Sequence, residues 1–351
     1  MAVDRNEPLF PELAGLSSSI DQLHDYHGYG DCFVPEGGIG TLVTKDYVVC
    51  SCFGEDPTTT LEELEKLTDK KIVFISPRKL NNVQNTKSKI IYFPLGYNFY
   101  TTTKDMPQEK LVLERTFDKT FLSLNRRAHW PRQALYEFID KFNLYDKCYF
   151  SYHMEDRFNE GRKNIWERTQ SNIGDAWFNQ GVDQDSLFDR VPVTVDIDQP
   201  INDWSSGGLD FYNTSFCSVV SETYIDENLD PMLTEKIFKP LAYGHPMLVH
   251  SSQGALSRLR ELGFETFSTI FDESYDLIEN PQLRFEAMLE QVLEISKKSN
   301  SELNSMFEEI KPIIEHNYDR FWNGLPKDYN NNLSSLKEEI LNHFGVDKNG
   351  N

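Results

Sequence analysis

The sequence predicts an α/β protein of two domains with a helical run at its C-terminal end. Three observations lead there. Strand-like runs alternate with helix-like runs along most of the chain, which implies right-handed crossovers and parallel sheets. The length, 351 residues, exceeds one ordinary core and suits two. Beyond residue 280 helices follow one another with no strand between them, at 281–297, 301–322 and 333–344.

The first domain, residues 1–115, opens loop-rich, with Gly28, Gly30, Gly37, Gly38 and Gly40 close together. Residues 41–53 (TLVTKDYVVCSCF) are β-branched and apolar and read as one or two strands. Residues 61–67 (LEELEKL) are helical, introduced by Asp56-Pro57 and three threonines able to cap. Residues 71–76 (KIVFIS) form a near-continuous apolar run, the pattern of a strand covered on both faces. Residues 89–100 read as a last strand running into a linker.

The second domain, residues 116–325, repeats the alternation. Strands are expected at 120–125, 147–153, 216–223 and 246–251, and helices at 131–142, 234–243 and 254–262. Pro131 fits a first helical turn, where its missing N–H costs nothing, and Gly244 and Gly263 stand where helices end. Between the second and third of these strands the chain reads as an irregular, Asp-rich stretch. Residues 326–351 are expected to be a C-terminal helix and polar tail, and residues 308–322 carry apolar positions at helical spacing that suit a helix bracing the first domain.

Composition narrows the function. Lys plus Arg number 35 against 56 Asp plus Glu, a formal charge of −21, which repels phosphate backbones and anionic membranes at long range. Residues 104–168 escape this, with 13 Lys/Arg against 11 Asp/Glu, so the rest of the chain carries −23. Five scattered cysteines (Cys32, Cys50, Cys52, Cys148, Cys217) suit reduced thiols better than a disulfide framework. The start MAVDRNEPLF has neither a basic segment nor an apolar core, and no run approaches a membrane span, so a soluble, cytoplasmic protein is expected.

Polar residues gather where an open parallel sheet binds ligands, beyond the carboxyl ends of its strands. Asn125, Arg126 and Arg127 end one strand and lead through His129 to Arg132 at a helix start, an arrangement that attracts anions through both charge and helix dipole. Ser221, Glu222 and Thr223 end another strand, and Thr234, Glu235 and Lys236 open the next helix with a cap, an acid and a point charge. Together they predict a diphosphate site with a carboxylate for a ribose. No strand is followed by Gly-x-Gly-x-x-Gly, which argues against a dinucleotide-dependent oxidoreductase. Asp196 and Asp198 form an Asp-x-Asp pair able to chelate a divalent ion, but they lie in the acidic stretch, and no metal is expected.

Residues 219–249 (VVSETYIDENLDPMLTEKIFKPLAYGHPMLV) resemble the donor-binding signature of the glycosyltransferase-B superfamily. They are most similar to the α1,3-fucosyltransferases and related phage and bacterial sugar transferases. The order is a Glu ending a strand, an acidic loop, a Thr-Glu-Lys helix start, then a Gly before a Pro-containing strand. FLSLNRRAHWPR resembles the same family's strand-loop-Arg segment. The chain departs from the family's Phe-Glu-Asn-Ser at Val220–Thr223, so neither sugar nor base is carried over.

The resemblance implies two facing Rossmann-like domains, GT-B-like, the first binding the acceptor and the second the donor. It implies an inverting, metal-independent transfer of a sugar from a nucleotide-diphosphate sugar to an acceptor hydroxyl of a glycan or similar molecule, with no cofactor beyond that donor. Glu235 would hold the ribose hydroxyls, Lys236 and Arg132 would neutralise the diphosphate, and Glu222 would face the nucleotide cleft. Arg126, Arg127 and Thr234 complete the donor set. Such a reaction needs a general base opposite the donor. Glu36 and His27 are the candidates, with Asp25 and Asp31 beside them in the glycine-rich segment. Two further readings stand: a phage-type transferase acting on hydroxymethylated DNA, and a noncatalytic nucleotide- or sugar-binding protein.

Overall fold

A computed structural model describes residues 16, 20–25, 46–52, 57–80, 83, 86–93, 108–155, 160–195, 209–222, 225 and 230–346. Among the described residues the protein is mixed α/β with two separate four-stranded parallel sheets. It divides into two compact units, one of Met1–Thr101 with Leu325–Asn351 and the other of Thr102–Gly324. The boundaries differ from the sequence expectation: residues 102–115 go with the second unit, and the C-terminal helix goes with the first instead of standing apart.

In the first unit the strands are β1 (Ile20–Asp25), β2 (Tyr47–Cys52), β3 (Lys71–Ser76) and β4 (Lys89–Tyr92), paired in that order. Helix α1 (Pro57–Leu67) connects β2 to β3. Val48, Cys50, Ile72 and Phe74 from the sheet and Leu61 and Leu64 from α1 make the core. β1 stands inside the stretch expected to be loop. Its sequence IDQLHD holds only two apolar residues, so no period-2 pattern marks it; pairing along β2 makes it a strand.

The second unit begins with β5 (Lys119–Arg127), α2 (Trp130–Lys141) and β6 (Cys148–Glu155). Three helices follow, α3 (Arg162–Ile173), α4 (Gln184–Arg190) and α5 (Leu209–Thr214), where an irregular loop was expected. α3 is mostly polar and was missed for that reason. Ile165, Trp166, Thr169 and Ile173 nevertheless lie on one buried stripe. Then come β7 (Ser215–Ser221), α6 (Glu235–Ala242), β8 (Met247–His250), α7 (Ala255–Glu261), α8 (Pro281–Ser296) and α9 (Asn300–Asp319). A π-helical turn, Arg320–Gly324, leads into α10 (Leu325–Phe344), which packs in the first unit through Phe344 on Tyr47 (ring centroids 4.8 Å apart) and Tyr329 on Phe93 (5.9 Å). The helix that joins the first unit is therefore α10, not residues 308–322.

The second sheet runs β6-β5-β7-β8. From β5 the chain crosses through α2 to β6 on one side, and later places β7 on the other side of β5. That reversal puts the switch point of the sheet between β5 and β7, whose carboxyl ends are the place where such sheets bind ligands. β7 is central, and all seven of its residues are buried. α2 is buried from Pro131 through Ile139, which fits a helix covered on more than one side. Cys50, Cys148 and Cys217 are buried free thiols; burial pushes Cys148 up to about 12 and Cys217 well above its ordinary value, so neither ionises near neutrality. No helix among the described residues is long and apolar enough to cross a membrane.

Candidate functional site

Two helix starts converge on the end of β7. On one side Thr234 caps α6. Its extended backbone (φ −112°, ψ 179°) turns the hydroxyl onto the N–H of Lys236 at 3.4 Å. On the other side Pro131 opens α2 at a first-turn position and His129 supplies the N-cap backbone. The residues ending β7 alternate, so Ser221 and Glu222 project to opposite faces of the sheet.

Glu222 is fully buried and faces α6. Its Oε1 accepts the Thr234 N–H at 2.9 Å and its Oε2 accepts the Thr234 hydroxyl at 2.6 Å. Lys236 Nζ lies 3.6 Å from Glu222 Oε2, 3.0 Å from Thr234 Oγ1 and 2.5 Å from Glu235 Oε1. Burial raises the Glu222 carboxyl above its ordinary value, against the pull of Lys236. Burial acts on Glu235 in the same direction, but the ammonium outweighs it and holds that carboxyl low. Lys236 keeps 28% of its side chain exposed while its ammonium bridges two carboxyls.

Arg132 is 3% exposed. Its Nη1 donates to the Arg127 carbonyl at 3.2 Å and its Nη2 to the Ser221 carbonyl at 3.4 Å, so it ties the β5–α2 turn to the end of β7. Burial lowers its guanidinium to about 10, against the attraction of Glu222 and Glu235. Arg126 and Arg127 are half-buried at the end of β5. His129 is held down at about 2 by burial together with the charges of Arg132, Lys236, Arg127 and Arg168. Its imidazole is therefore neutral, with cations around it. Asn125, buried at the same edge, donates to the Ser123 hydroxyl at 3.0 Å, and that hydroxyl donates to the Val219 carbonyl at 2.8 Å, locking β5 to β7 just below their carboxyl ends.

The structure thus brings Arg126, Arg127, Arg132, Glu222, Thr234, Glu235 and Lys236 to one edge of one sheet. Cationic groups and two sets of helix N-terminal N–H groups there suit an anion such as a diphosphate. The two carboxyls offer acceptors for hydroxyls. Glu36, His27, Asp31, Asp196 and Asp198 lie outside the described residues, and so does the side chain of Asp25, the last residue of β1. Among the described residues no group of three or more His, Cys, Asp or Glu side chains is arranged to hold a metal.

Sequence reasoning passed over Trp130 and His250. The ring centroids of Trp130 and His250 are 5.6 Å apart, and both rings pack on Phe285 of α8. The one local signal for His250 was a histidine directly after an apolar strand run. Arg132 has a structural part as well, because its guanidinium joins two strand ends from inside the unit. No protein-family model matches this chain, and no curated protein matches it.

Proposed function

We propose that the protein is a nucleotide-sugar-dependent glycosyltransferase that moves a sugar from a nucleotide-diphosphate sugar to an acceptor hydroxyl, without a metal and with inversion. The observation that carries this reading is the convergence of Arg132 and Lys236, with the starts of α2 and α6, on the end of β7 at the sheet's reversal point. The resemblance of residues 219–249 to donor-binding segments points the same way. In this reading the second unit holds the donor. Lys236, Arg126, Arg127 and Arg132 stabilise the charge on the departing nucleoside diphosphate, and Glu235 accepts from the ribose hydroxyls. The first unit supplies the acceptor side and the base, with Glu36 and His27 the candidates. Two facing Rossmann-like domains of the GT-B kind, working in the cytoplasm, belong to the same proposal.

A glycan acceptor is favoured over DNA by the formal charge of −21, which repels a phosphate backbone, and the cations of α3 have protein partners beside them. Arg162 donates to the Val191 carbonyl and lies over the Phe188 ring (5.9 Å to its centroid). Lys163 stands 3.9 Å from Glu167 and Arg168 3.3 Å from Glu160.

Thermal shifts with GDP, UDP, CDP, ADP and dTDP, first with a chelator and then with magnesium or manganese, test the reading. A ligand at about 100 times its Kd stabilises the folded state by about 2.7 kcal/mol, a shift of several degrees. A metal-free shift with one nucleotide, lost in Lys236→Ala and followed by turnover of its sugar derivative, supports the transferase. A shift without turnover of any sugar derivative supports the noncatalytic binder. No shift with any of the five removes the donor site.

A further inference from the structure

Two buried histidines flank β8 and are used differently. His245 precedes the strand. Its Nε2 lies 3.0 Å from the Ser215 carbonyl and its Nδ1 2.8 Å from the Ser218 hydroxyl. A carbonyl only accepts, so Nε2 carries the proton and Nδ1 accepts from Ser218. Both nitrogens are satisfied. His250 ends the strand, with Nε2 3.1 Å from the Pro281 carbonyl, which fixes the same tautomer. Its Nδ1 is therefore an acceptor, and it is buried with no hydrogen-bond partner among the described residues. Burial and the charge of Arg284 bring the ring down to about 3, so it is neutral.

Ser221 is the register partner of His250 across the β7–β8 ladder, and partners in a ladder share a face. Its hydroxyl is likewise buried with no hydrogen-bond partner among the described residues. Trp130, the first residue of α2, packs on His250 from that face, and Arg132 reaches the carbonyl of Ser221 itself. A lone acceptor and a lone hydroxyl thus sit beside the guanidinium assigned to the diphosphate. Native interiors rarely leave such atoms unpaired, and the exceptions mark bound water or function. A neutral ring nitrogen with no proton gives nothing to an anion, and Arg284 and Arg132 close by repel a cation, so the group that fits here is an uncharged hydrogen-bond donor.

We infer that Ser221 Oγ and His250 Nδ1 form a selectivity subsite for a neutral, ring-borne O–H or N–H group of the nucleotide sugar, next to its diphosphate. This rests on the donor-site reading above. The group can belong to the base or to the transferred sugar, and the test separates them.

Wild type, Ser221→Ala and His250→Phe are titrated calorimetrically with GDP and GDP-mannose, UDP and UDP-glucose, and ADP and ADP-glucose. Ser221→Ala removes an unpaired hydroxyl, so the melting temperature of the free protein should stay level or rise while affinity falls about fivefold. His250→Phe keeps the ring against Trp130 and Phe285 and should weaken the same ligands. An equal loss for the nucleoside diphosphate and its sugar derivative assigns the contact to the nucleoside. A loss confined to the sugar derivative assigns it to the sugar. Wild-type affinity in both variants overturns the subsite, as does a lower melting temperature in Ser221→Ala with affinity unchanged. If wild type binds none of the six, nor CDP or dTDP, the donor reading falls and the subsite falls with it.

Discussion

Glu222 and Thr234 meet twice, through the Thr234 N–H at 2.9 Å and its hydroxyl at 2.6 Å, so both carboxyl oxygens of a fully buried side chain are engaged by one residue. Because that hydroxyl donates to Glu222, its lone pairs are left for Lys236, whose N–H and ammonium approach at 3.4 and 3.0 Å. A strand end, a helix cap and a charge are thereby joined through a single oxygen.

Thr234→Ala deletes that oxygen. It removes the cap of α6 and leaves Glu222 Oε2 without its hydroxyl donor, a loss of about 2 kcal/mol. Thr234→Ser keeps the oxygen and should recover most of it. Urea unfolding midpoints of the three proteins decide the matter; equal midpoints for wild type and Thr234→Ala would deny the joint its role.

Lys236→Ala removes the ammonium shared by Glu222 and Glu235. In the proposed donor site, nucleoside diphosphate affinity should drop about tenfold to a hundredfold. Glu235→Ala should instead raise the KM for the nucleotide sugar, through loss of the ribose contact. Calorimetry and steady-state kinetics distinguish the two. For the arginine, Arg132→Lys is the informative variant, since alanine there would also release Arg127 from Ser221.

Glu137 gives the fold a pH dependence. It is fully buried in α2, its Oε1 accepts from Gln133 at 3.4 Å, and burial lifts its carboxyl from 4.5 to about 7 against that hydrogen bonding. In the folded protein it holds a proton that the unfolded chain releases near pH 4.5. Its stabilisation is therefore full below pH 4.5, declines as pH rises, and is gone above about 7, a span of roughly 3 kcal/mol. Glu137→Gln should be more stable than wild type at pH 8 and should lose that advantage on acidification. Melting temperatures from pH 4 to 8 measure the difference; a constant gap would exclude titration of Glu137.

Gly244 follows α6 at φ +60°, a left-handed conformation that costs a residue with a side chain. A Cβ there would collide with Leu111 and come within 2.9 Å of Ile314 Cγ2. Gly244→Ala should cost about 2 to 4 kcal/mol from backbone strain and overpacking together. A loss below 1 kcal/mol in denaturant titration would mean that Leu111 and Ile314 yield freely.

Features whose causes are local were legible in the sequence. The apolar run at 71–76 is β3 to the residue, and Pro131 marked the start of α2. The Thr-Glu-Lys at 234–236 announced a helix start because capping is a matter of adjacent residues. β1 was invisible because its strand character comes from β2 alongside it, not from its own six residues. α3 and α4 were hidden by polar faces turned outward, and α5 by its length of six residues. In the site, strand-end polar groups could be read singly, but the pairing of Ser221 with His250 depends on ladder register, and that Arg132 holds two strand ends together depends on three-dimensional packing.

The first unit is built from both ends of the chain, with β1 to β4 before residue 101 and α10 after residue 325. The ribosome makes its sheet first and its closing helix last, with the whole of the other unit, Thr102–Gly324, made in between. At about 5 to 20 residues per second that gap lasts roughly eleven to forty-five seconds. During it Tyr47 and Phe93 wait for Phe344 and Tyr329, so the unit synthesised first is the one completed second.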